Sequence, residues 1–222
     1  MKYFTFPSFF LIPILGASAN QNVPELLCRR VYESPAIDGV LNDPCWQEAH
    51  GVTGFSLLGN GGPAREQTSA YVLYDDSCLY VAFVCLESRM DSLVARCESR
   101  DGLVWCDDCV EVFIDTDHDH MRYYHVIANA AGIRYDEIGR LQPWTWSCDW
   151  EVQITKALDR WTVETAIPFW CMSTAVPQPG EIWGFNLNRE EYRLGELSGW
   201  SPTLNHFHEP YHFGHLVFEP ES

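Results

Sequence analysis

The chain has 222 residues, enough for a single all-β domain with a sizeable core and too few for two comfortable ones. Its 31 acidic against 14 basic side chains give a formal net charge of −17, which repels phosphate backbones and anionic lipid and so excludes nucleic acid and membrane surfaces as partners. Nine Trp and an aromatic share of 14% exceed what one core needs, so the surplus faces a partner, and neutral oligo- or polysaccharides or cations suit such a surface.

Met1 and Lys2 precede an apolar run at 3–15 that ends in Gly16-Ala-Ser-Ala19, an arrangement suited to signal peptidase. This predicts a signal peptide over 1–19, a mature domain over 20–222 and a secreted, extracellular or periplasmic location, the alternative being a buried N-terminal strand. Short helical turns are expected at 44–49 and near Asp91, and the Gly-rich stretch 59–63 reads as a loop inside the domain. Alternating or short apolar runs fall at 68–74, 79–87, 109–115, 123–129, 151–155, 161–167, 182–189 and 215–218, separated by turn residues. They predict an all-β fold, an antiparallel β-sandwich of jelly-roll or immunoglobulin-like type. Nine cysteines leave at least one thiol unpaired in an exported monomer, with pairing open. Cys106 and Cys109 lack the second pair that a structural zinc site needs, and read as strand-end thiols or one local disulfide.

The segment Trp105-Cys-Asp-Asp-Cys-Val-Glu111-Val-Phe-Ile-Asp115 places an aromatic and an acid-rich turn at the mouth of an alternating strand. A ring there covers the apolar C–H face of a pyranose while carboxylates take its hydroxyls. By parity Val110, Val112 and Ile114 share one face, and Glu111, Phe113 and Asp115 the other. His125 and Asn129 share a face of the next strand and can donate to a sugar oxygen, His125 being equally readable as a satisfied core histidine. Asp115, Asp117 and Asp119 offer hard oxygens for a structural Ca2+, against a solvated acidic turn. An EF-hand is excluded, because His120 stands where its glycine belongs and Val126 where its bidentate Glu belongs. His206, His208, His212 and His215 fall close together, but spacing alone does not gather three around one ion, and solvated imidazoles are the plainer reading.

Six motifs occur in the order seen in carbohydrate-binding module family 9, which the chain resembles over roughly residues 30 to 219. They are Ile37-Asp-Gly-Val-Leu-Asn-Asp-Pro-Cys-Trp46, the Asp75 to Phe83 run, the Trp105 to Asp115 run, Trp161-Thr-Val-Glu-Thr-Ala-Ile-Pro-Phe169, Trp183-Gly-Phe-Asn-Leu-Asn-Arg189 and Phe213-Gly-His-Leu216. The resemblance implies non-catalytic binding of β-glucan or xylan-type saccharides in polysaccharide catabolism, with Trp105 and Glu111 at the positions that contact sugar. It also implies polar contacts from the strand of His125 and Asn129, an amide contact at Asn205, bound calcium ions, and a glycoside hydrolase as associate. The second tryptophan of the family's clamp is replaced here by Phe207, with Trp200 as an alternative wall, and Arg189 either reaches the site or pairs with an acid. Two further readings are a glycoside hydrolase using Glu111, Asp115 or Glu164, and a b-type haem domain ligated by Met90 or Met121 with His125.

Overall fold

The computed structural model describes residues 23–59, 61–139 and 146–220. The signal-peptide segment lies outside these residues, as does the start of the expected mature domain. In chain order the elements are β1 (Glu25–Arg30), α1 (Pro44–Glu48), β2 (His50–Val52), β3 (Ser56–Leu57), β4 (Thr68–Tyr74), β5 (Cys78–Leu86), β6 (Cys109–Asp115) and β7 (Tyr123–Asn129). They continue with β8 (Arg134–Gly139), β9 (Glu151–Lys156), β10 (Arg160–Pro168), β11 (Ile182–Glu191), β12 (Glu196–Gly199) and β13 (Gly214–Phe218). One-turn 3-10 helices stand at Met90–Ser92, Val104–Cys106, Phe169–Met172 and Pro210–His212.

The fold is all-β, but the strands join into one nearly barrel-shaped sheet in the order β8-β7-β6-β11-β13-β1-β4-β5-β10-β9. β1 closes the seam. Its first four residues pair with β13 and its last two with β4, both in parallel. The expected purely antiparallel pairing therefore fails at β1, where one strand serves two halves of the sheet.

The core lies between those halves. Val110, Val112, Ile114, Phe185 and Leu187 come from one side, and Val72, Val81, Phe83, Trp161 and Val163 from the other. Full burial of side chains this large drives the closure. A Cys148–Cys171 disulfide, with Cα atoms 5.4 Å apart, ties the segment before β9 to the turn after β10. Cys106 and Cys109 are free thiols.

The outer face of β4, β5 and β10 is covered by the chain between β1 and β2. Trp46 of α1 packs with Leu73, Tyr80, Ala82 and Ala166. Glu164 of β10, fully buried, accepts hydrogen bonds from Trp46 Nε1 (2.6 Å), Gly39 N (2.8 Å) and Asp38 N (3.1 Å). One carboxylate thus fixes the Ile37 to Trp46 segment to the sheet. The outer face of the other half, β8-β7-β6-β11-β12, carries the candidate site.

Candidate functional site

Register decides which side chains meet on that face. Glu111 faces Asn188 of β11 and Ile127 of β7, Phe113 faces His125, and His125 in turn faces Glu137 of β8. The parity read from β6 holds, since its valines and Ile114 enter the core while Glu111 and Phe113 turn outward. Above this face lie the 204–209 loop and the 3-10 turn of Trp105. Together they enclose a cleft of about 330 Å³, lined among others by Trp105, Glu111, Tyr135, Glu190, Asn205 and Phe207.

Trp105 is partly exposed and stands edge-on to Tyr135, with ring centroids 5.0 Å apart. Its turn is set by the two following acids. Asp107 accepts from Arg96 N, Cys97 N and the amide of Asn129, and Asp108 accepts from Val94 N and Tyr192 N. Burial alone would raise the Asp107 pKa, but the hydrogen bonds from Arg96, Cys97 and Asn129 outweigh it and hold it low. The two acids beside the ring are therefore scaffolding and do not face a ligand.

Asn129 belongs to the same scaffold. It is fully buried, donates to Asp107 (2.9 Å) and Cys97 O (3.2 Å), and accepts from the backbone N–H of Ala131 and Ile133. Its amide is used up in the β7–β8 turn, so the expected sugar contact from Asn129 is corrected to a positioning role beneath Trp105.

The floor of the cleft is a charged relay. His125 Nε2 meets Glu111 Oε2 at 2.7 Å and its Nδ1 meets Glu137 Oε1 at 3.2 Å, while Phe113 stacks on the imidazole at 3.9 Å. Burial opposes the charge on His125, but the two carboxylates outweigh it and raise its pKa. Glu111 is 3% exposed, with one oxygen taken by His125. Glu111 lines the cleft, and its Oε2 is committed to His125 at the floor. Glu190 bonds the same carboxylate. Burial, followed by the charge and hydrogen bond of Glu111, pushes its pKa up to about 9, so at neutral pH Glu190 is a protonated donor.

Phe207 is at the cleft as expected but only 6% exposed, sunk among Phe113, Tyr123 and Phe213. It anchors its loop, and the ring that was to form a second stacking wall is largely consumed by that packing. His206 and half-buried His208 flank it. Asn205 is exposed, with its amide donating to Glu209 Oε1 at 2.8 Å. Trp200 packs toward Phe185 and Gly214, away from the cleft lining. Arg189 is fully buried between the halves of the sheet, 3.5 Å from Glu87 and bonded to the carbonyls of Glu66 and Leu86. It is therefore not a site residue.

Sequence reasoning missed Glu190, Glu137 and Tyr135, and took His208 for a solvated imidazole, whereas it is half-buried at the cleft. Glu190 was legible by parity, two residues beyond Asn188 on β11. Glu137 and Tyr135 needed the unpredicted strand β8.

The acidic turn after β6, expected to hold calcium, is closed by its own backbone hydrogen bonds. Asp115 accepts from Asp119 N (3.3 Å) and His120 N (2.8 Å), and Asp119 accepts from Met121 N and Arg122 N. Backbone amides thus engage both oxygens of Asp115 and Oδ1 of Asp119. Among the described residues, the groups that bring three donor atoms within 4.8 Å of one another are His125–Glu137–His208 and Glu87–Asp108–Glu191, and Asp117 is in neither. The haem reading does not gather its ligands, because Met121 is 63% exposed and Met90 packs against the core cluster, whereas His125 sits on the outer face with Glu111 and Glu137.

A sheet face with one partly exposed indole over a polar floor is the arrangement of a ligand-binding β-domain. The chain belongs to the carbohydrate family 9 binding domain-like family, whose model matches residues 37–220. It is 26% identical over 216 residues to an endo-1,4-beta-xylanase A of Thermoanaerobacterium saccharolyticum, covering 95% of this chain and 17% of the relative. It is also 26% identical over 200 residues to the exoglucanase XynX of Acetivibrio thermocellus, covering 87% and 17%. The chain therefore spans about a sixth of the length of these curated relatives. A family 9 module of Caldicellulosiruptor kristjanssonii in complex with cellotriose has the same fold, with a TM-score of 0.67 at 18% identity over 90% of this chain and 95% of that one. A protein from Bacteroides uniformis matches with a TM-score of 0.74 at 20% identity over 89% and 100%.

Proposed function

We propose that this domain binds neutral β-glucan or xylan-type saccharides without cleaving them. The observation that carries this reading is the cleft itself. Its volume suits one or two sugar units, an indole stands partly exposed at its edge, and Glu190, Glu137, His206 and Asn205 are placed to exchange hydrogen bonds with hydroxyls. Family membership supports it, as does the cellotriose complex of the similarly folded module. The xylanase relatives support a role in polysaccharide catabolism beside a glycoside hydrolase. The two halves of the sheet about one core support a jelly-roll-type sandwich as the finer architecture.

Hydrolysis needs two carboxyl groups about 5–10 Å apart, facing each other across a glycosidic bond. Glu164 is spent on the Trp46 segment, Asp115 on its own turn, and Glu111 on His125 and Glu190. Affinity electrophoresis in gels containing xylan or soluble β-glucan tests the reading. Retarded migration without release of reducing ends is expected, whereas reducing ends appearing in proportion to protein contradict it.

A further inference from the structure

The relay at the floor of the cleft has the composition of a metal site. His125, Glu137 and His208 each offer a ligand atom, and the three atoms lie within 4.8 Å of one another. His125 Nδ1 is 3.2 Å from Glu137 Oε1, and His208 Nδ1 is 3.9 Å from the same oxygen. A tetrahedral ion with bonds of about 2.0–2.1 Å holds its ligand atoms about 3.3 Å apart, so small side-chain adjustments bring this triad to coordinating distance.

Each ligand also has an outer partner. Glu111 Oε2 bonds the far nitrogen of His125 at 2.7 Å, which aims Nδ1 at Glu137. The Tyr135 hydroxyl donates to Glu137 Oε2 at 2.8 Å and leaves Oε1 for the cluster. The Tyr123 hydroxyl meets His208 Nδ1 at 2.8 Å and fixes that ring, yielding the nitrogen when an ion binds. Carboxylates and hydroxyls behind the ligands are the usual support of a metal site, orienting each ring and raising its basicity.

We propose that His125, Glu137 and His208 form a site for a divalent transition ion of the zinc class, with its fourth position open to the cleft. Two imidazoles and one carboxylate select such ions over calcium or magnesium. The open position takes water or a hydroxyl of a bound molecule.

Titration of the purified full chain with Co2+, followed by displacement with Zn2+, tests the proposal without any sugar, so its failure leaves the saccharide reading untouched. The expected result is one ion per chain with the visible bands of a tetrahedral centre. Affinity falls at least ten-fold in His208→Ala and in Glu137→Gln, with far-UV circular dichroism unchanged, and it is retained in His118→Ala, which lies outside the triad. Two results would overturn the site: no saturable binding of either ion, or binding that survives both triad substitutions and disappears in His118→Ala.

Discussion

At the scale of single residues, the cleft is governed by carboxyl groups that face each other more than they face solvent. Glu190 is the clearest case. Its pKa is raised to about 9, first by burial and then by Glu111, so the folded chain holds a proton that the unfolded chain releases near pH 4.5. That contribution to stability is complete below about pH 4.5 and is lost as pH rises toward 9. The raised pKa of His125 acts in the same direction above its unfolded value. Glu190→Gln keeps a neutral donor beside Glu111 and removes the proton requirement. Urea unfolding at a series of pH values is expected to find it more stable than the parent at pH 8, with the difference shrinking as pH falls and vanishing near pH 4. A variant less stable than the parent at pH 8 would contradict the protonated Glu190. Trp105 and Glu111 were legible in sequence because an aromatic before an alternating strand carries a local signal. The true duties of Glu111 and Asn129 were not, because a residue's partners come from other strands: His125 from β7 and Asp107 from the turn ahead of β6.

At the scale of elements, strands whose apolar periodicity is strong were legible, and all eight predicted runs correspond to observed strands. β1, β2, β3, β8 and β12 were missed. β1 reads Glu-Leu-Leu-Cys-Arg-Arg, and β8 carries Arg134, Asp136 and Glu137, whose charges are answered by partners distant in sequence. Arg100 bonds Asp136 at 2.5 Å, for example, so a buried acid sits in a strand without an apolar signal. The segment from Ile37 to Trp46 shows how a motif works as an element. It has one short helix and relies on Glu164 for attachment, through three donors converging on one carboxylate. Glu164→Ala leaves Trp46 Nε1 and Gly39 N unpaired and a void beneath them, and is expected to cost about 3 kcal/mol in urea unfolding. An unchanged midpoint would show that this segment is held by packing alone.

At the scale of the whole molecule, one continuous, nearly barrel-shaped sheet presents two different outer faces. One is sealed by the Trp46 segment and the other is left as a cleft under the 204–209 loop. The all-β class was legible from composition and periodicity, whereas closure into one sheet was not, because it depends on β1 bending from β13 to β4. The net charge of −17 and a cleft that sets an indole over a hydrogen-bonding floor together favour a neutral, ring-shaped ligand. The most direct test is isothermal titration of the purified chain with glucose, cellobiose, cellotriose and xylotriose, in parallel with Trp105→Ala. Saturable binding to at least one sugar, weakened ten-fold or more in Trp105→Ala with the fold intact, is the predicted result. Silence toward all four sugars, or equal binding by the variant, would contradict a saccharide site at this cleft.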